Sequence, residues 1–104
     1  MKLTSEQLQE KIQSNEKFIV DYYAEWCGPC KTLSTHLEKV EAKLKETDSQ
    51  VKIYKFDISD DKELMVSMGI RTIPTLQFYS NGKLIDKCTS VLPENEILKR
   101  ANNL

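Results

Sequence analysis

The sequence predicts an α/β fold in a single domain, with a mixed β-sheet covered by helices. Strand-like and helical patterns alternate from the N-terminus to about residue 68, which is typical of a parallel sheet core. An Asn-Gly pair at 81–82 then separates two strand-like segments and predicts an antiparallel hairpin. A chain of 104 residues can bury one core. We therefore expect one domain over residues 1–104.

The first half of the chain is predicted to form two helices and two strands. Residues 4–7 (Thr-Ser-Glu-Gln) resemble a helix start, and this helix should end near residues 15–16. Residues 18–23 are apolar on both faces except at Asp21, as expected of a buried central strand. A longer helix follows, and its apolar stripe consists of Leu33, Leu37, Val40 and Leu44. Residues 51–56 form the next strand candidate.

The second half is predicted to form a short helix, the hairpin and a final helix. Asp60-Asp61 precede the short helix, whose apolar residues are Leu64, Met65 and Met68. Residues 75–79 and 83–89 are strand-like and flank the hairpin turn. Pro93 suits the start of the last helix. The residues expected to face inward from that helix are Ile97, Leu98 and Ala101.

Cys27 and Cys30 are the residues that most directly indicate chemistry. They lie between a strand and a helix, in the pentapeptide Trp26-Cys27-Gly28-Pro29-Cys30. Two cysteines three apart in the first turn of a helix have Cα atoms about 5 Å apart, which a disulfide can span. So short a loop makes a poor structural staple, which favours reversible redox chemistry. Unpaired N–H groups at the helix N-terminus should stabilise the thiolate of Cys27, the nucleophilic form.

The charge of the chain is nearly balanced, with 15 basic and 16 acidic residues and a formal net charge of −1. No long run of one sign suggests a surface that follows phosphates, so we expect no nucleic-acid partner. Residues 1–12 lack the apolar segment of a signal peptide, and no stretch is long enough to cross a bilayer. We therefore expect no membrane association and a cytoplasmic location.

A zinc site is an alternative interpretation of the cysteines, because a CxxC pair in a reducing compartment is more often catalytic or metal-binding than structural. Cys27, Cys30, Cys88 and His36 are enough ligands in number. His36 lies roughly 9 Å beyond Cys30 along the helix, however, and zinc ligands lie within about 2.3 Å of one ion. We therefore expect no metal and no cofactor. Cys88 is expected to be a small strand residue, with oxidative dimerisation as the alternative.

Three segments resemble the thioredoxin family: residues 21–31 (DYYAEWCGPCK), residues 69–75 (GIRTIPT) and Asn81-Gly82. The resemblance covers essentially the whole chain. It implies the thioredoxin fold, with a central mixed sheet of four or five strands and helices on both faces. It also implies a thiol-disulfide oxidoreductase that reduces disulfides in protein substrates and is regenerated by a thioredoxin reductase. We expect a monomer, and the alternative function is a binding subunit of a larger assembly.

Four residues are expected to perform the exchange reaction. Cys27 would attack a substrate disulfide, and Cys30 would resolve the mixed disulfide by attacking Cys27. Asp21 is the candidate acceptor for the Cys30 proton, because a carboxylate within an apolar strand has a raised pKa. The resemblance gives Asp21 the same role and places Lys55 near it, where its charge would moderate the carboxyl pKa. Strand alternation leaves the face of Lys55 open, so an ordinary solvated lysine is the alternative.

A small apolar patch around Cys27 is expected to bind protein substrates. Its members are Trp26, Gly28, Pro29, Ile58, Ile73, Pro74, Ser90 and Val91. Trp26 should be a partly exposed lid beside the nucleophile. Only about 5% of X-Pro bonds are cis, but the resemblance implies that the Ile73-Pro74 bond is cis and faces the dithiol. The backbone of Ile73 would there pair with an extended substrate.

Two places depart from the family pattern. Thioredoxins usually carry a proline five residues after the resolving cysteine, where this chain has Thr35, so its long helix should be straighter. The loop before the last helix normally carries a glycine, where this chain has Ser90 and Val91. Side chains at these two positions would narrow substrate choice, which leads to the hypothesis of a dedicated partner.

Overall fold

The computed structural model describes all 104 residues and contains four strands and four α-helices. The strands are β1 (Lys17–Tyr23), β2 (Lys52–Asp57), β3 (Thr75–Ser80) and β4 (Lys83–Cys88). The helices are α1 (Ser5–Ile12), α2 (Gly28–Glu46), α3 (Lys62–Ser67) and α4 (Glu94–Asn102). A 3₁₀ turn at Ile58–Asp60, which the sequence pattern does not predict, connects β2 to α3. None of the helices combines the length and the apolar character that crossing a membrane requires.

The four strands form one sheet in the order β2-β1-β3-β4. β1 runs parallel to β2 and antiparallel to β3, and β4 pairs antiparallel with β3. This topology confirms the predicted mixed sheet, with the smaller of the two expected strand numbers. Because β1 is central and helices cover both faces, its middle residues are buried on either side.

Two apolar layers cover the sheet, one on each face. The layer under α2 and α4 is formed mainly by Ile19, Leu33, Leu37, Val40, Leu44, Ile53, Leu76, Phe78, Ile97 and Ala101. The layer under α1 and α3 is formed mainly by Leu8, Phe18, Val20, Tyr22, Tyr54, Phe56, Met65 and Tyr79. Side chains alternate between faces along a strand, so Asp21, two residues after Ile19, belongs to the α2 face of β1.

The turn between β3 and β4 has the conformation that its Asn-Gly pair predicts. Asn81 has a φ of 53° and Gly82 a φ of 79°, both in the left-handed region. Two-residue hairpin turns of this kind require positive φ at both central positions, which asparagine and glycine adopt most readily. The predicted antiparallel hairpin is therefore confirmed.

Gln77 is a polar side chain buried within β3, at 2% exposure. Its Oε1 accepts a hydrogen bond of 2.8 Å from the Tyr22 hydroxyl and one of 3.0 Å from the Tyr79 hydroxyl. The Tyr22 bond connects β1 to β3, and the Tyr79 bond lies within β3, both on the face covered by α1 and α3. The sequence pattern of the strand does not predict the contact with Tyr22, because that residue lies 55 positions away in the chain.

Candidate active site

Cys27 and Cys30 lie at the junction between β1 and α2. Cys27 is the N-cap of α2, and Pro29 occupies the first turn of the helix. The two sulfurs form a disulfide, and the Cα atoms are 5.3 Å apart, which confirms the spacing predicted from a helical turn. The backbone N–H of Cys30 donates a hydrogen bond of 3.2 Å to Cys27 Sγ. A thiolate at Cys27 would accept this bond more strongly than a disulfide sulfur does.

The two cysteines belong to a small buried apolar cluster. Cys27 and Cys30 are 5% and 3% exposed, and Ile58 and Ile73 pack against them. The Ile73–Pro74 bond is cis, as the resemblance to the thioredoxin family implies, and Pro74 is buried. Trp26 is more exposed than a partial lid, at 77% of its surface. A large aromatic side chain is therefore free to contact a partner immediately beside the first cysteine.

A groove of about 410 Å³ runs past Trp26, and its lining includes Ile58 and Ile73, which pack against the two cysteines. Its apolar lining comprises Trp26, Ile58, Met65, Ile70 and Ile73, and its charged lining comprises Lys62 and Arg71. Three of the residues predicted to bind substrate, Trp26, Ile58 and Ile73, are thus brought together. The two cationic residues were not predicted, since isolated charges on a short helix and a loop are ordinary surface features.

Asp21 is fully buried on the α2 face of β1, as the apolar strand pattern predicts. Neither of its carboxylate oxygens has a hydrogen-bond partner. Burial raises the pKa of Asp21 to about 6, and the positive charge of Lys55 partly opposes the rise. A carboxyl group with this pKa can take up and release a proton near neutral pH, as a general base must.

Lys55 lies opposite Asp21 in the register of β2 and β1 and belongs to the same face of the sheet. The register therefore shows which face of β2 carries Lys55, a point that strand alternation alone leaves open. The Lys55 ammonium donates a hydrogen bond of 3.1 Å to Ser34 Oγ and lies 4.8 Å from the centre of the Tyr23 ring. The sequence does not predict that Ser34 and Tyr23 contact Lys55. The three residues come from different elements, α2, β1 and β2, which only the folded structure brings together.

A narrow cleft of about 150 Å³ opens beside the dithiol on the α2 side. Its lining includes Cys30, Ser34, Lys55 and Tyr23, with Glu25 and Lys31 also contributing. Cys30 therefore borders an opening that Lys55 also lines. The cleft brings the predicted resolving cysteine and the predicted lysine to one place.

The loop before α4 carries Ser90 and Val91, the last two residues expected in the substrate-binding patch. Val91 packs against the apolar layer under α2 and α4, and that layer does not include the two active-site cysteines.

Cys88 is a half-buried free thiol whose Sγ lies 3.2 Å from Ser90 Oγ. His36 bonds through Nδ1 to the Leu92 carbonyl oxygen at 2.8 Å. No three histidine, cysteine or acidic side chains converge closely enough to hold a metal ion.

Comparison with known families agrees with this geometry. The thioredoxin family model matches residues 1–103. The chain belongs to the thioredoxin family. The thioredoxin of Mycoplasmoides gallisepticum is 36% identical over 91 residues, which cover 88% of this chain and 87% of that protein. A probable protein disulfide-isomerase A4 of Caenorhabditis elegans is 39% identical over 84 residues, which are 81% of this chain but 14% of that protein.

Solved thioredoxin structures have the same fold. Chloroplastic thioredoxin z superposes with a TM-score of 0.85 at 30% identity, covering 98% of this chain and 90% of that one. Mitochondrial thioredoxin 3 of Saccharomyces cerevisiae, in its oxidised form, superposes with a TM-score of 0.84 at 28% identity, covering 100% and 94%. A thioredoxin-family chain whose two active-site cysteines form a disulfide has the site of a thiol-disulfide oxidoreductase.

Proposed function

We propose that this protein reduces disulfides in protein substrates through the dithiol of Cys27 and Cys30. The observation that carries the proposal is the disulfide at the N-terminus of α2, together with a buried carboxyl group on the preceding strand β1 that has no hydrogen-bond partner. A cysteine pair so placed can be oxidised and reduced without unfolding the chain, because the helical turn keeps its Cα atoms at a separation that a disulfide can span.

The first step is attack by the Cys27 thiolate on one sulfur of the substrate disulfide. A bond forms between Cys27 and that sulfur, and the other substrate sulfur leaves as a thiolate. The N–H of Cys30 favours the attacking form, since it already points at Cys27 Sγ. Trp26, Ile58 and Ile73 would contact the substrate around the reacting sulfur, because they line the groove beside it.

The second step is attack by Cys30 on Cys27. Cys30 must first lose its proton, and the Asp21 carboxylate is the group proposed to accept it. The sulfur of Cys30 then bonds to Cys27, the second substrate thiolate leaves, and the substrate is released fully reduced. Two electrons have passed from the protein to the substrate. A thioredoxin reductase, the partner that membership of this family suggests, would restore the dithiol.

Trapping the mixed disulfide tests the proposal. Cys30→Ser removes the resolving sulfur, so this variant should accumulate a covalent adduct with a protein disulfide substrate that dissolves on addition of dithiothreitol. Cys27→Ser is the matched control and should form no such adduct. The unmodified protein should catalyse reduction of the same substrate, and both variants should lose this activity. Adducts of equal yield on Cys30→Ser and Cys27→Ser would contradict the proposed order of attack.

A further inference from the structure

The Lys55 ammonium is held by groups other than the carboxylate it faces. Ser34 Oγ accepts its hydrogen bond at 3.1 Å, and the Tyr23 ring lies 4.8 Å away on another side. Asp21 has no hydrogen-bond partner at either oxygen, although it is directly opposite Lys55 in the strand register. The position of the ammonium is thus set from α2 and not by an ion pair across the sheet.

The position of the Lys55 ammonium matters because few other charged groups surround Asp21. Lys55 is the charged side chain that β2 offers to it, α2 contributes Cys30 to the lining of the cleft, and β3 contributes the apolar Leu76. The other ionisable groups at the cleft are Tyr23, Glu25 and Lys31, and the last two are exposed. Among these groups, Lys55 alone acts on the carboxyl pKa strongly enough to oppose its burial.

We propose that Ser34 is a positioning residue, whose hydroxyl fixes the Lys55 ammonium beside the cleft and thereby sets how strongly Asp21 holds its proton. The consequence for proton uptake from Cys30 rests on the proposed function. The arrangement itself does not, since it involves neither substrate nor reductase. Ser34 is half-buried on α2, one helical turn beyond Cys30, so the residue that holds the lysine belongs to the same helix as the dithiol.

Removal of the hydroxyl has a definite expected direction. An ammonium without its acceptor in the cleft extends to solvent, where water supplies hydrogen bonds, because a lysine stem is long and flexible. Its attraction for the Asp21 carboxylate then weakens, and the carboxyl pKa rises. Ser34→Ala should still fold, since alanine is the better helix former and the site is only half-buried.

The test is an NMR titration of the Asp21 carboxyl carbon in the oxidised protein, where both cysteine sulfurs are bonded and do not titrate. Ser34→Ala should raise the midpoint by roughly half a pH unit, a fraction of the one to three units that a close opposite charge provides. Ser34→Thr, which keeps the hydroxyl, should restore the original midpoint. Thr35→Ala is the matched control, because the Thr35 hydroxyl bonds to the Lys31 carbonyl and not to Lys55.

A double-variant cycle identifies the route of the effect. Lys55→Met should raise the midpoint by more than Ser34→Ala does, and adding Ser34→Ala to Lys55→Met should change nothing further. An unchanged or lowered midpoint in Ser34→Ala would overturn the proposal. So would a rise that persists in the Lys55→Met background, or a failure of Ser34→Thr to restore the midpoint. If the unmodified protein does not reduce protein disulfides, that result counts against the proposed function alone. The titration is independent of it, because it needs neither substrate nor turnover.

Discussion

Asp21 and Lys55 are paired across the parallel strands β1 and β2, yet their side chains form no hydrogen bond. A buried carboxylate without a direct partner is destabilising in its charged form, because it has lost its hydration. The same property keeps the proton of Asp21 exchangeable near neutral pH. The ionised Asp21 carboxylate therefore lowers the stability of the folded protein, and the same carboxylate is the group proposed to accept the Cys30 proton.

Replacement of Asp21 by asparagine should stabilise the protein above about pH 6. The folded state binds the Asp21 proton more tightly than the unfolded chain does, so the stability of the wild type falls as pH rises from about 4 to about 6. Raising a carboxyl pKa from 3.8 to about 6 costs about 3 kcal/mol once pH exceeds both values. Urea unfolding should show that the advantage of Asp21→Asn is larger by this amount at about pH 8 than at about pH 3.

Asp57 supplies a control of opposite sign. It is also buried, but hydrogen bonds from the Ser59 hydroxyl and N–H hold its pKa below the ordinary value. The carboxylate of Asp57 therefore contributes stability above its unfolded pKa, and this contribution is lost as pH falls through the lower folded value. Asp57→Asn should destabilise the protein at neutral pH. A gain in stability from both asparagine variants at neutral pH would show that charge burial is not the cause.

Asp21→Asn should also slow the resolving step. Asparagine cannot accept a proton, so attack by Cys30 loses its general base, an effect on the order of 10²-fold or more. Single-turnover release of substrate from the mixed disulfide should be slower in the variant at neutral pH. The wild-type rate should rise with pH around a midpoint near 6, as Asp21 ionises, and the variant should lack this limb. Equal release rates for the two proteins across neutral pH would remove Asp21 from the mechanism.

Gln77 should contribute to stability through the hydrogen bonds that it accepts from two tyrosine hydroxyls. Gln77→Leu keeps the volume of the side chain but leaves the buried hydroxyls of Tyr22 and Tyr79 without this partner, at about 1–3 kcal/mol for an unsatisfied group. Tyr22→Phe removes one donor together with its need for a partner and should cost less, about 1 kcal/mol. Urea unfolding compares the two variants. A Gln77→Leu variant as stable as the wild type would exclude a role for the network.

Trp26 should increase affinity for protein substrates without affecting the intrinsic reactivity of the dithiol. Trp26→Ala should raise KM for a protein disulfide roughly tenfold, because an exposed aromatic beside the site loses its contact area. The rate with a small disulfide should change little. Val66→Ala is the matched control, since Val66 is 80% exposed and lies outside the groove. Equal effects on the protein and the small disulfide would indicate that Trp26 acts on the cysteines instead.

Most of the fold is predictable because its determinants are local. Apolar periodicity identifies the strands and helices, and the Asn81-Gly82 pair fixes the hairpin. The burial of Asp21 also follows from its own strand, which is apolar on both faces. Ser34 and Gln77 are different, since their functions depend on contacts with residues 21 and 55 positions away along the chain. Only the packing of α2 on the sheet, and of β1 against β3, reveals those contacts.

A redox titration of Trp26 fluorescence would show whether Cys27 and Cys30 form a reducing dithiol. Trp26 is the only tryptophan and adjoins Cys27, so its emission should report the state of the dithiol. In graded thiol-disulfide buffers we predict one reversible two-electron transition, nearer the roughly −270 mV typical of thioredoxin than the roughly −180 mV of protein disulfide isomerase. Cys30→Ser should abolish it. The absence of any transition, or one at the oxidising potential, would contradict a function in disulfide reduction.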